Sequence, residues 1–265
     1  MYRYFFIAIG LSVLVGCATV EGPPAAAVSD LAPGGKLRAA INLGNPVLAS
    51  RDAAGQLKGV SVDLARELSR RLGVPIELAA FDAAGKVVEA GRAGAWDIAF
   101  VALDPARAAE IAQSPPYVVI EGAYLVRKDS PIQSNAEVDR GGNRIVVGRG
   151  SAYDLFLSRS IKQAQIVRSQ TSAAVVDDFV RGNYEVAAGV RQQLQADEKR
   201  IPGVRLLPGR FMVIYQAMAS QRGRDAGARY VREFIEEMKA SGFVARALER
   251  HAIEGAAVAA TGDAR

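Results

Sequence analysis

Two short stretches of the chain carry residue types able to recognise an anion. The first is Gly94 to Ile111, GAWDIAFVALDPARAAEI. Asp97 to Val101 reads as a buried strand, Asp104 and Pro105 as the N-cap and first position of a helix, and Arg107 as a first-turn residue of that helix. Arg107 is thereby placed just beyond the carboxyl end of a strand, the edge at which open α/β sheets bind ligands. A guanidinium there is a planar fork for a carboxylate. From the residues alone, the alternative is an exposed helix arginine paired with Glu110. The second stretch is RIVVGRGSAYD, Arg144 to Asp154. A strand leads through Gly148 and Gly150 to Ser151 at a helix N-cap, followed by Ala152 and Tyr153. The glycines let the backbone approach a ligand closely. The serine hydroxyl and first-turn N–H groups form an anion site at the positive end of a helix dipole. The third glycine and partner acid of a dinucleotide fingerprint are missing, and taken alone this loop is equally a tight turn with a serine cap.

The elements that must position these residues alternate along the chain. Strands are expected at Leu37–Leu43, Pro75–Ala80, Asp97–Val101, Arg144–Arg149, Gln165–Arg168 and Val186–Val190, with extended runs at Tyr117–Val126 and Met212–Ala219. Helices are expected at Val62–Leu72, Asp82–Ala93, Ser151–Ser160, Ser172–Arg181, Asp225–Ser241 and Phe243–His251. In the first of these, Leu64, Leu68 and Leu72 share one face and Gly73 supplies the stop. Such alternation predicts an α/β fold with parallel-rich sheets covered by helices on both faces.

The two chain ends read as lying outside the fold. Tyr4 to Val15 is an apolar run, too short for the roughly 20 residues of a bilayer span and suited to the core of a secretory signal. It ends in Leu14-Val15-Gly16-Cys17, similar to a lipobox, in which the cysteine is cleaved before and lipidated. The alternative is an ordinary signal peptide, or a short anchor, with an incidental cysteine. Residues 1–17 are thus expected to be a lipoprotein signal peptide, 18–35 a Pro- and Gly-rich flexible tether, and 254–265 a disordered tail. Cys17 is the only cysteine, which excludes an intrachain disulfide and leaves no thiolate metal site or catalytic cysteine. The chain carries a formal net charge of +5, with its arginines scattered rather than gathered. With no phosphate-binding loop, Cys/His finger or basic stripe interleaved with aromatics, no nucleic-acid role is expected. The charge suits an anionic ligand or an anionic membrane surface.

Several segments, in order, resemble family 3 periplasmic solute-binding proteins, the amino-acid receptors of ABC importers. They are KLRAAINLG from Lys36, DAAGQLKGVSVDLARELSRRLGV (Asp52–Val74), the Arg107 segment, SPPYVVIEGAYLVRKDSPI (Ser114–Ile132), VVGRGSAYD, GNYEVAAGV and FIEEMKASGFVARALERH (Phe234–His251). The resemblance implies a two-lobed type II periplasmic binding protein fold. Lobe 1 would comprise residues 36–125 and 219–253, lobe 2 residues 126–218, with a two-strand hinge near Tyr124–Arg127 and Tyr215–Ala219. A ligand in the cleft would favour closure by touching both lobes. The resemblance also implies a monomer without cofactor or metal, lipid-anchored in the periplasm through Cys17 and working with an ABC permease in the inner membrane.

Carried over residue by residue, the resemblance makes Arg107 the α-carboxylate ligand. Ser151 and the N–H of Ala152 become its second contact, and Ala102 a backbone contact, with Gly150 and Tyr153 in the same loop. Asn45 and Ala84 fall where the family stacks aromatic rings on the ligand. Where the family places an aspartate for the α-ammonium, this chain has Val190 and Arg191. Arg149 and Arg191 are expected either to add positive charge to the cleft, which implies a solute richer in carboxylate or poorer in ammonium than a standard amino acid, or to point to solvent. Two other readings remain. The first is a dehydratase-type enzyme, for which the only histidine, His251, lies on the last helix, and Glu121 and Asp104 are the nearest acids. The second is a lipid-anchored sensor or partner-binding module with a degenerate pocket.

Overall fold

The computed structural model describes residues 22–262; the signal segment and Cys17 lie outside the described residues. The first part of the chain runs α1 (Ala25–Leu31), β1 (Leu37–Asn42), β2 (Ser50–Arg51), β3 (Leu57–Lys58), α2 (Val60–Leu72), β4 (Ile76–Phe81), α3 (Ala84–Arg92), β5 (Ile98–Ala102), α4 (Pro105–Ala108) and β6 (Ile111–Arg127). The middle part follows with β7 (Arg144–Gly148), α5 (Ala152–Ser160), β8 (Gln165–Ser169), α6 (Val175–Arg181), β9 (Val186–Val190), α7 (Arg191–Arg200) and β10 (Val204–Leu206). The chain then returns through β11 (Met212–Gln221), α8 (Asp225–Ala240), α9 (Phe243–Arg250) and β12 (Ala257–Val258).

The strand order β4-β1-β5-β11-β6-β9-β7-β8 divides naturally into two lobes. β1 lies parallel to β4 and β5, and β7 parallel to β8 and β9. Between these two parallel groups run β6 and β11, antiparallel to each other and shared by both lobes. This is the two-lobed α/β architecture expected from the sequence. Every residue of β5 and of β9 is buried, as expected of parallel strands covered on both faces. In α2 the stripe Val60, Leu64, Leu68 and Leu72 is buried, and Gly73 ends the helix in the left-handed region at φ 67°.

The strand pairing moves the crossing between lobes earlier than the sequence suggested. β6 exchanges β11 for β9 at Gly122, ahead of the expected boundary after Leu125. β11 joins β5 of the first lobe from Gln216 onward, ahead of residue 219. Gly122 marks the switch because a Cβ there would stand 2.6 Å from Met212 Cγ.

Both expected end segments also require correction. The tether region contains α1, which packs on α8 with Ala27 and Leu31 buried. Asp30 fastens it by accepting the Gly227 N–H at 2.9 Å, and its carbonyl accepts from Arg224. Composition hid this helix, since the alanines that favour it sit among prolines and glycines. The tail is structured as far as residue 262 as well. β9 covers β6 only from Gly122 to Leu125, leaving the edge at Val118 and Val119 open, and β12 pairs there. Ala259 is buried beyond it, and the Lys239 ammonium donates to the Ala260 carbonyl. Helix α7 has little signal in the sequence, because RQQLQADEKR offers one large apolar residue, Leu194, and no stripe.

Asp97, immediately before β5, is wholly buried and ties three segments together. It accepts from the Arg38 N–H and guanidinium and from Arg224 at 2.8–3.0 Å. Burial opposes its charge, but the bonds from Arg38 and Arg224 hold its carboxyl below the ordinary range.

Candidate functional site

At the other end of β5 the lobes meet around a cavity of about 30 Å³. From the first lobe it is lined by Asn42, Gly44 and Asn45 after β1, by Ala84 at the start of α3, and by Ala102 and Arg107 after β5. The second lobe contributes Ser151, Ala152 and Tyr153 at the start of α5, with Ser172 and Val190, and β11 supplies Ile214 and Gln216. Asn42, Ala102 and Val190 are the last residues of parallel strands, so the cavity occupies the carboxyl edge of both sheets.

Arg107 is placed by its helix start. The Asp104 carboxylate accepts the Ala106 N–H at 2.9 Å as an N-cap, and Pro105 occupies the first helical position. The Arg107 side chain then turns inward and is 3% exposed. Its guanidinium donates to two backbone carbonyls, Ala102 at 2.9 Å and, across the cleft, Gly150 at 2.8 Å. Burial pushes its pKa down to about 10, opposed by the charge of Asp104. No carboxylate touches it among the described residues: Asp104 is bridged to Arg159 of the second lobe at 2.7 Å, and Glu110 pairs with Arg92 instead. The exposed Arg107–Glu110 pair offered as an alternative reading is therefore replaced by a buried cation facing carbonyls.

The opposing loop is held in detail. Ser151 caps α5 by accepting the Asp154 N–H at 3.0 Å, and Asp154 in turn accepts the Gly150 N–H and is bridged by Arg168. The first-turn N–H groups of Ala152 and Tyr153 have no intrahelical acceptor and stand at the cavity. Burial pushes the Tyr153 phenol above its ordinary range, opposed by hydrogen bonds with Ser172 and Ser151. Gly150 adopts φ 67°, and a Cβ on it would fall 2.8 Å from the Gly85 Cα of the first lobe. Only glycine gives both that backbone conformation and that approach. With Arg107–Gly150 and Asp104–Arg159, the Gly85–Gly150 contact closes the lobes on each other.

Asn45 and Ala84 line the cavity. Asn45 is 6% exposed, and both its amide oxygen and its amide nitrogen are buried without a hydrogen-bond partner. Arg149 and Arg191 require correction. The Arg149 side chain is exposed and outside the lining. Arg191 is bound to Glu121 at 2.8 Å and to the Gly209 carbonyl, away from the cavity. Glu121 is also bridged to Arg210, and these partners hold it below the ordinary range of a glutamate. His251 binds Asp63 at 2.8 Å, joining α9 to α2 rather than reaching the cleft. Asn42, Ser172, Ile214 and Gln216 were not singled out from the sequence. The strand-end rule could have found Asn42; the antiparallel β11 that brings Ile214 and Gln216 has no local signal for its place beside β5.

The family described as bacterial extracellular solute-binding proteins, family 3, matches residues 37–253. Among solved structures, the solute receptor for L-cysteine of Neisseria gonorrhoeae is 24% identical, with 84% of this chain and 92% of that chain covered and a TM-score of 0.74. An ancestral amino-acid-binding protein, a precursor of cyclohexadienyl dehydratase, is 21% identical over 84% and 98% of the two chains, with a TM-score of 0.71. A binding component of an ABC transporter from Wolinella succinogenes, complexed with lysine, is 20% identical over 82% and 95%, with a TM-score of 0.70. At these identities the likeness is one of fold.

Proposed function

Because the chain belongs to the bacterial extracellular solute-binding proteins of family 3, we propose that it is an extracytoplasmic receptor for a small carboxylate-bearing solute. The solute would be an amino acid, an amino-acid derivative or an organic acid, bound between the lobes as they close and delivered to an ABC permease in the inner membrane. Cys17 would carry the lipid that holds this monomer at the membrane of the periplasm. The ABC role is supported by the family and by the transporter component from Wolinella succinogenes.

The observation that carries the reading is Arg107. A buried guanidinium that meets only carbonyls is poorly compensated, and an anion brought to it relieves that deficit. Ser151, the N–H groups of Ala152 and Tyr153, and the α5 dipole would complete the carboxylate site, with Gly150 and Ala102 holding the Arg107 fork. Asn45 and Ala84 would face the remainder of the solute.

A dehydratase-type activity has less support, although one structural neighbour is a dehydratase precursor. Among the described residues the lining contains no Asp, Glu or His to move a proton at ordinary pH. Calorimetry over a panel of amino acids and organic acids tests the proposal. At least one carboxylate should bind, and Arg107→Met should weaken it by about a hundredfold or more, the loss of two charge-assisted bonds. Equal binding by wild type and variant would remove the proposal. A thermal-shift screen without any response would favour the partner-binding module with a degenerate pocket.

A further inference from the structure

We infer that the solute is a short monocarboxylate without an ammonium group, and that Asn45 reads a neutral hydrogen-bonding substituent on it. This rests on the receptor reading above and narrows it to one chemical class.

The first observation is the charge of the cavity wall. Among the described residues it holds one cation, Arg107, and no acid; the other polar side chains are neutral, namely Asn42, Asn45, Ser151, Tyr153, Ser172 and Gln216. The acids nearby are committed elsewhere. Asp104 is held by Arg159 and the Ala106 N–H, and Glu121 by Arg191 and Arg210. A monoanion neutralises such a wall. A zwitterion would set its ammonium beside a guanidinium and a helix N-terminus with no carboxylate to meet it, and a desolvated charge without a partner is strongly disfavoured. A second carboxylate would in turn lack a second cation, since Arg149 and Arg191 stand outside.

The second observation is Asn45 itself. Its side chain is not needed for its own turn. The turn is held by backbone bonds from the Leu48 and Ala49 N–H groups to the Asn45 carbonyl, while the neighbouring Asn42 uses its amide oxygen to bind the Gly44 N–H. Asn42 is therefore a structural asparagine, and Asn45 presents an unsatisfied donor and an unsatisfied acceptor at the cavity. Buried polar atoms are nearly always paired, and an unpaired amide on a residue that lines a cavity can take a partner from outside the chain. A hydroxyl or carboxamide on the solute supplies it.

The third observation is volume. The space enclosed between the lobes is about 30 Å³, less than even a small carboxylic acid fills, so the lobes must part around the solute, and a short one asks the least opening of them.

Three matched acids, L-lactate, propionate and L-alanine, differ at C2 in a hydroxyl, a hydrogen and an ammonium, and their affinities for the mature wild-type protein by calorimetry test the inference. Lactate is expected to bind about tenfold tighter than propionate, and by at least about tenfold over alanine. Asn45→Leu should reduce the lactate-to-propionate ratio to about twofold. Asn45→Asp, which adds a carboxylate, should weaken lactate and strengthen alanine by about tenfold each, a gain that a misfolded variant cannot show. Alanine binding as tightly as lactate, no binding by any of the three, or a ratio unmoved by Asn45→Leu would overturn the inference. In each case Arg107→Met separates the two levels. If a carboxylate from a wider panel binds wild type and loses affinity in Arg107→Met, the receptor reading stands and only the solute class is wrong; if that variant binds like wild type, the receptor reading itself fails.

Discussion

Strand β5 has a buried charge at each end, and the two are treated in opposite ways. Asp97, before its first residue, has no exposed side-chain surface and is met by Arg38 and Arg224. Arg107, one short helix after its last residue, is almost as deeply buried and is met by carbonyls alone. A buried charge with its full set of partners fastens a fold; one with carbonyls for partners is kept against the interest of stability. On the proposed reading, the difference separates a structural ion from a binding one.

Removing each charge should therefore have opposite consequences, and this is the largest effect expected. Asp97→Ala leaves two arginines facing an apolar hole and should cost about 3 kcal/mol in urea unfolding, the low end for a broken buried pair because both arginines are partly solvated. Arg107→Met should leave stability unchanged or raise it by about 1 kcal/mol while abolishing solute binding. If Arg107→Met proves as destabilising as Asp97→Ala, the contrast collapses. The pH dependence carries the same signature. Because Asp97 is held below the ordinary carboxylate range, its contribution is complete above the pKa of an unfolded aspartate, about 4, and is lost as the pH falls through that value towards the folded one. Asp97→Asn should flatten the acid limb of the stability profile, whereas Arg107→Met should not touch it.

A smaller effect is expected where the second lobe meets Arg107. Gly150→Ala forces a side chain into the left-handed region, worth about 1–2 kcal/mol, and drives its methyl against Gly85. The lobes should be held apart, with a larger radius in small-angle scattering and affinity lowered about tenfold; scattering and affinity like wild type would show that closure does not pass through this contact. The smallest effect belongs to the outlying cation. Arg149→Gln should alter affinity by no more than about twofold, since an exposed charge is screened by solvent. A large loss would return Arg149 to the binding surface and weaken the case that Arg107 acts as the only cation there.

Periodicity and local signals made much of both lobes readable. The leucine spacing of α2 with Gly73, the Asp104-Pro105 start before Arg107 and the Ser151 cap before α5 are local devices, and each appears where the residues place it. The segments that escaped are those whose order depends on a distant neighbour. α1 is stabilised by α8, roughly two hundred residues away in the chain, and β12 by an edge of β6 that the register of β9 leaves open. Arg191 looked like a cleft residue until its partner Glu121 was known, and nothing local predicts a pair separated by 70 positions.

The amino-acid sequence by itself determined the alternation of strands and helices and the two capped helix starts at Asp104 and Ser151. These follow from spacing, capping and composition, which act over a few residues. Tertiary structure alone decided that Arg107 is buried against Gly150 rather than paired with Glu110, that Asn45 is left with an unsatisfied amide, and that Arg149 and Arg191 stand outside. Those outcomes depend on which surfaces the two lobes bring together across the β6–β11 crossing, and burial and charge compensation exist only once that assembly has formed.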